Sequence, residues 1–416
     1  MNRLAINNPK QMSDDEVKVN WYNYYAGFSS AFVKDILYSC SIDQSGIVLD
    51  PWNGAGTTTT SVYDAGYNAV GIDLNPVMCV VAKAKSASLT DVYNAYDNFK
   101  ALRVAKFEVQ FSENDFLLNW FDFDTAKYIR YLSKTAVGLN GIDVLQLNVE
   151  RCVMLVALFN VVRNLVRDFV PSNPTWIKKA KSENEKIKED NKNIKKAILD
   201  YLDSIKSSFI ESENRTQGSL NLFVASSKKI PVINKSVDLV ITSPPYCTRI
   251  DYGVATYPEL SVLLGDMPDV IDSLRRELIG RTTIDKVFTE HEFVSEQSMK
   301  FMEAVESHNS HASTNYYLKN YKQYFVDMEL SIAEISRIIK DDGVFVCVVQ
   351  DSYYKEIYCD LSRIISEITT ANDFALEDKR DFKAKNIMAN IHAGTKKYRS
   401  KVTATESVLV FRKQKV

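Results

Sequence analysis

Absences narrow the field first. The 416 residues include only four histidines, and the six cysteines (Cys40, Cys79, Cys152, Cys247, Cys347 and Cys359) form no C-x-x-C pair. Cysteines scattered through mostly apolar segments read as reduced core residues, so no disulfide framework is expected. His308 and His311 stand three apart with no third ligand nearby, and no metal site is expected either. Neither sign of charge dominates: 51 basic against 53 acidic side chains leave a net charge of −2. Binding to a polyanion would therefore need basic residues gathered on one face. The longest apolar run, residues 152–162, is interrupted by Asn160 and is far too short to span a bilayer. The opening "MNRLAINNPKQMSDDEV" lacks the apolar stretch of a secretion signal, so a cytoplasmic location is expected. No internal repeat or low-complexity tract is visible.

What is present alternates between strand-like and helical patterns. "GFSSAFVKDILYSC" has helical apolar spacing, with Ser29 or Ser30 placed to cap it. "GIVLD" reads as a short buried strand, "PWNGAGTTTT" as the turn after it, and "AVGIDLNP" as the next strand. This is how a parallel α/β sheet begins. Residues 81–215 read as mostly helical. They include the lysine-rich run 177–196, expected to be a solvated helix face. The sheet resumes at "LNLFVAS" and "VDLVITS". A polar insertion then covers about 255–320, and "YFVDMELSIAEISRIIK" leads through "DDG" into "VFVCVVQDS". Two further strands, "FALEDKRDF" and "SVLVFRK", close the chain.

Two stretches carry chemistry. In "VLDPWNGAGTTTT", Asp50 ends a strand, and Gly54 and Gly56 let the backbone approach a ligand closely before a helix begins. Ligands of open α/β sheets bind at such strand ends. Asp73, ending the next strand 19 residues after Gly54, suits a pair of ribose hydroxyls. A phosphate-binding loop would need lysine where Thr57 stands, and a dinucleotide fingerprint would need glycine where Thr59 stands. S-adenosylmethionine, with an amino-acid end and a ribose but no phosphate, suits a carboxylate-bearing loop. A plain tight β–α turn is the bland alternative.

The second stretch is "TSPPY", residues 242–246, at the end of an apolar strand. Prolines fix the backbone and remove N–H donors, and they force the preceding residue into extended geometry. Ser243-Pro244-Pro245 is thus stiff and rich in acceptors. It suits an exocyclic base amine whose hydrogens must be held while its nitrogen reacts, with Tyr246 stacking on an extruded base. The bland alternative is a proline-rich turn with Tyr246 in the core.

Together these segments resemble the amino-specific S-adenosylmethionine-dependent DNA methyltransferases, which make N4-methylcytosine or N6-methyladenine. "DPWNGAGTT" looks like their motif I, "GIDLNP" like motif II, "TSPPY" like motif IV and "YYAGFSSAFVKDIL" like motif X. The resemblance covers about 200 residues and leaves the insertions aside. It implies a Rossmann-like class I methyltransferase: a mostly parallel seven-stranded sheet with a C-terminal antiparallel hairpin, plus helical insertions. Residues 1–80 and 216–416 would form the catalytic domain, 81–215 a candidate DNA-recognition region, and 255–320 a second insertion.

The resemblance also implies roles. Phe28 and Ser29 would line the methionine end of the cofactor. Asp50, Gly54, Gly56 and Thr57 would form its loop, and Asp73 would bind ribose. Ser226 would contact the adenine ring, where the family usually has an aspartate. Ser243, Pro244, Pro245 and Tyr246 would form the catalytic site. Serine first in motif IV is typical of cytosine-N4 enzymes, whereas the motif order keeps adenine-N6 open; methylation of RNA guanine or a protein amide is a more distant alternative. Double-stranded DNA is the expected partner, with a cognate restriction endonuclease as a second, and Arg249, Trp176, Lys178, Lys179, Arg275, Arg276 and Arg281 are the candidate DNA contacts. The basic stretch 392–401 is a further candidate.

Overall fold

The computed structural model describes residues 6–10, 21–22, 28–138, 143–171, 176–209, 218–248, 250–281, 291–310, 313–383 and 404–415. Seven strands form one sheet: β1 (Ile47–Asp50), β2 (Asn68–Asp73), β3 (Ser219–Val224), β4 (Val237–Thr242), β5 (Ile339–Gln350), β8 (Phe374–Lys383) and β9 (Thr405–Lys413). Their spatial order is β3-β2-β1-β4-β5-β9-β8. Every pairing from β3 to β5 is parallel, whereas β9 runs antiparallel to both β5 and β8. This is the mostly parallel sheet with a C-terminal antiparallel hairpin that the sequence implied. Two short strands, β6 (Ser352–Tyr354) and β7 (Ile357–Cys359), form a separate hairpin.

The inner strands read as near-continuous apolar runs because helices cover both faces of the sheet. From β1 the chain steps one way to β2 and β3, then returns to place β4 on the other side of β1. A crevice opens at such a reversal, beyond the strands' carboxyl ends. Asp50 and Thr242 end the two strands that flank it. "DDG" is absorbed into β5 as an irregularity: Val237 pairs with Ile339, but Leu239 pairs with Val344.

Helix α1 (Ser30–Ser39) is capped by Ser29, whose hydroxyl accepts from the Phe32 N–H at 3.2 Å. Helix α2 (Thr57–Asp64) follows Gly56, which sits at φ 81°; a Cβ there would lie 2.6 Å from the Ala82 Cβ. Only glycine meets both demands.

Between β2 and β3 the structure is helical: α3 (Pro76–Ala84), α4 (Leu89–Ala101), α5 (Phe123–Val137), α6 (Val149–Leu165) and α7 (Asn191–Phe209). α6 is apolar nearly all round and forms the centre of this body, as such helices must. α7 buries Ile194, Ile198, Leu202 and Ile205 on one face. The lysine-rich run is helical only from Asn191; before that it is irregular apart from one short turn at Glu183–Glu185.

The second insertion divides between two cores. α8 (Tyr252–Ala255), α9 (Tyr257–Leu264) and α10 (Pro268–Glu277) join the helical body through Leu260, Val262, Leu263, Leu264, Ile271 and Leu274. α11 (Glu296–Glu306) instead packs beside α12 (Leu318–Ile338) and α13 (Leu361–Thr370) on the sheet. Two arginines, the buried Arg130 and the half-buried Arg163, tie α8 and α9 to the helical body. Arg130 donates to the carbonyls of Ser261 (2.6 Å) and Val262 (2.5 Å) and pairs with Asp115. Arg163 donates to the Ala255 carbonyl (2.7 Å) and pairs with the fully buried Glu259, which also accepts from the Tyr22 hydroxyl. Among the described residues, no helix is long and apolar enough to cross a membrane.

Candidate active site

One cleft of about 1030 Å³, open solvent included, lies at the reversal point. It is lined by Phe28, Asp50, Gly54, Thr57, Asp73, Ser226 and the whole Ser243–Pro244–Pro245–Tyr246 segment. The two stretches singled out from the sequence therefore face one cavity.

The loop after β1 is organised by two carboxylates. Asp50 accepts from the Thr242 hydroxyl at 2.5 Å and from the Trp52 N–H at 3.0 Å, joining the ends of β1 and β4. Asp73 accepts from the Gly54 N–H at 2.9 Å and the Asn75 N–H at 2.8 Å. Burial pushes both carboxyls up to about 6, against hydrogen bonds that favour the ionised forms; for Asp73 the Asp50 charge adds to the rise. Asn53 sits between them. Its side-chain carbonyl accepts from Thr59 at 2.8 Å, and Gly71 makes room for it, since a Cβ there would lie 2.7 Å from the Asn53 amide.

Among the described residues, Asn53 Nδ2 and Trp52 Nε1 are buried with no hydrogen-bond partner. Buried donors are nearly always satisfied, so two orphans on one ligand-facing loop point to a bound group that accepts from them. A cavity offering both N–H donors and two carboxylates opposes phosphates, yet fits a molecule with a carboxylate, an ammonium and ribose hydroxyls. S-adenosylmethionine has these groups.

The loop after β4 is held from outside. The Tyr324 hydroxyl on α12 donates to the Pro245 carbonyl at 2.9 Å, and the Tyr252 hydroxyl accepts from the Tyr246 N–H at 3.3 Å. Ser352 donates to the Cys247 carbonyl at 2.9 Å, and Lys10 donates to the Tyr246 hydroxyl at 3.3 Å. Among the described residues, no hydrogen bond occupies the Ser243 hydroxyl or the Pro244 carbonyl. Both stay available as acceptors.

Two expected cofactor contacts lie elsewhere. Ser29 does not line the cleft; its hydroxyl is spent on capping α1 and its N–H on the Pro9 carbonyl. Gly56 packs on Ala82 behind the loop instead of facing the cleft. The sequence reading also missed Asn53, Leu74, Asn75, Met78, Tyr252, Thr256, Leu278 and Ile279, all of which line it. Asn53 and Asn75 flank Gly54 and Asp73, so their neighbourhood was a signal; the last three come from an insertion with no motif.

The expected DNA contacts separate sharply. Trp176 (53% exposed), Lys178, Lys179 and Arg276 are at the surface, and Lys179 lies 5.4 Å from the centroid of the Tyr257 ring. Arg275 is tied to the buried Asp251 at 2.7 Å. Arg281 is a correction: it is 5% exposed, and its charge faces Asp327 in the interior, leaving no surface for a phosphate. Arg249 and the stretch 392–401 lie outside the described residues.

Comparison with known proteins agrees with this geometry. Residues 237–416 match the N6/N4 methyltransferase model described as DNA methylase. The Type II methyltransferase M.BsoBI of Geobacillus stearothermophilus is 27% identical over 292 residues, covering 64% of this chain and 56% of that protein. The chain thus spans little more than half of that relative's length. The Type II methyltransferase M.AvaI of Nostoc sp. is 24% identical over 414 residues, covering 88% of this chain and 81% of that protein. A SAM-dependent methyltransferase structure from Methanosarcina mazei aligns over 91% of this chain and 97% of that one, with 8% identity and a TM-score of 0.31. Residues 237–416 thus match the N6/N4 DNA methylase family, and most of the chain is similar to Type II methyltransferases.

Proposed function

We propose that this protein methylates the exocyclic N4 of a cytosine extruded from double-stranded DNA, using S-adenosylmethionine, as the modifying half of a restriction or phage-defence pair. The observation that carries this reading is the shared cleft: Asp50 and Asp73 on one wall, Ser243 to Tyr246 on the other. The printed names of the relatives, Type II methyltransferases, support DNA as the substrate.

When bound, S-adenosylmethionine supplies a methyl group activated by its sulfonium charge. Asp73 would accept from ribose hydroxyls, while Phe28 and Thr57 would border the methionine end and Ser226 the adenine. The Ser243 hydroxyl and Pro244 carbonyl accept the two amine hydrogens, which draws the nitrogen lone pair out of conjugation. Tyr246 stacks on the base and fixes its plane. Serine is too weak a base to take the proton, so the nitrogen would release it to solvent on taking the methyl, while the S–CH3 bond breaks and the sulfonium leaves as a neutral thioether. Trp176, Lys178, Lys179 and Arg276 form the proposed phosphate-contacting face; the fixed Arg275 and the interior Arg281 are not part of it.

Serine at position 243 favours cytosine over adenine. Mass spectrometry of nucleosides from duplex DNA treated with enzyme and labelled cofactor tests this. N4-methyldeoxycytidine is expected; N6-methyldeoxyadenosine alone would overturn the base choice. Label in tRNA or protein with none in DNA would overturn the substrate.

A further inference from the structure

The mechanism leaves one buried charge unexplained. Glu406, on β9, has a side chain only 4% exposed, yet strands rarely bury a carboxylate without a compensating partner. Its partner is Lys10, 3.6 Å away, and the same Lys10 ammonium donates to the Tyr246 hydroxyl, 236 positions further along the chain, at 3.3 Å. Burial alone would lower the lysine's affinity for its proton, but Tyr246 and Glu406 outweigh it and raise it. Lys10 therefore keeps its charge where it stands.

The segment bearing Lys10 is stitched across the molecule. Ile6 is buried against the Phe28 and Phe32 side of the sheet, and its carbonyl accepts from Arg380 on β8 at 3.1 Å. The Asn7 amide donates to Asp35 on α1 at 2.6 Å, and the Pro9 carbonyl accepts from the Ser29 N–H at 2.8 Å. These contacts fix the backbone just ahead of Lys10, so the ammonium is delivered to Tyr246 from a held position. The backbone of Tyr246 is secured separately by Tyr252. Without a hold on the hydroxyl, the half-buried ring could still turn about its side-chain bonds.

We infer that Lys10 is a positioning residue, braced by Glu406, that fixes the ring of Tyr246 and so sets the face on which the target base stacks. This rests on the stacking role proposed for Tyr246, but its first test does not. In protein labelled with 3-fluorotyrosine, the Tyr246 fluorine signal can be assigned by its loss in Tyr246→Phe. Lys10→Met should shift and narrow that signal towards a mobile ring, while Lys10→Arg should restore it. An unchanged signal in Lys10→Met would overturn the inference, whatever the protein's substrate.

The second test uses single-turnover methylation of duplex DNA. Lys10→Met and Tyr246→Phe should each slow the step about tenfold, the scale of a small misplacement of a reacting group, with cofactor affinity unchanged. The double variant should be no slower than either single one, because both remove the same contact. Lys10→Met/Glu406→Gln removes the stranded carboxylate and keeps the test independent of folding. Penalties that multiply, or a loss of melting temperature with wild-type rates, would show that Lys10 serves only to neutralise Glu406. Wild-type protein without any transfer to DNA would instead sink the proposed function and leave the fluorine result standing.

Discussion

The loop after β1 is held mainly by its own neighbours in sequence, with the distant Thr242 reaching only Asp50 at its start, whereas the loop after β4 is held mainly by residues from far along the chain, Tyr252 being the near exception. In the first, Asp73, Thr59 and Ile72 secure Gly54 and Asn53, all within about 25 positions of Asp50. In the second, Tyr324 secures Pro245 from 79 residues away and Lys10 secures Tyr246 from 236. A ligand common to many chemistries can be bound by a compact local unit. A loop that must meet a partner entering from outside takes its shape from whatever packs around it. The comparison predicts that damage to the first loop reads out in cofactor affinity, and damage to the second in the rate of transfer.

Four changes would break or sharpen that contrast. Asp73→Ala removes the acceptor for two backbone N–H groups and for the proposed ribose contact. Hydrogen bonds to charged groups are worth about 1.5–3 kcal/mol each, so cofactor affinity by calorimetry should fall about 100-fold. The transfer rate should recover at saturating cofactor. Tyr246→Ala should do the reverse. Loss of base stacking at about 1–3 kcal/mol slows single turnover about thirtyfold, with cofactor affinity nearly unchanged.

Acid should also act on the first loop. Both buried carboxyls titrate at about 6, above the ordinary carboxylate range, because burial penalises their charged forms. Protonation removes acceptors, so cofactor affinity should weaken as pH falls through 6, about tenfold between pH 8 and pH 5 for one such group. In Asp73→Asn that dependence should shrink. The same raised values mean that ionising these carboxyls weighs against the folded state as pH rises through 6, so bound cofactor should raise the melting temperature more at pH 8 than at pH 5. Tyr324→Phe gives the smallest effect: one lost hydrogen bond to Pro245 should slow transfer about fivefold without altering cofactor binding.

The same contrast explains what the sequence could reveal. Asp50, Gly54, Thr57 and Asp73 lie in one strand–turn–helix–strand unit, where spacing alone fixes the geometry. Pro244 and Pro245 announce a stiff turn in any context. The sheet was equally legible, because its inner strands are buried on both faces and show it. Tyr324, Ser352 and Lys10 left no trace, since a hydroxyl or ammonium meeting a loop from far along the chain imposes no local pattern. Ser29 and Gly56 were read as ligand contacts, although one caps a helix and the other makes space for Ala82. Arg281 looked like a surface cation, but charge says little about burial when an acid such as Asp327 waits inside.

A crystal structure with an unreactive analogue of S-adenosylmethionine tests the central claim most directly. The ribose is predicted to hydrogen-bond Asp73, with the transferable position turned towards the Ser243 hydroxyl. An analogue bound outside this cleft, or with that position turned away from Ser243, would contradict the account.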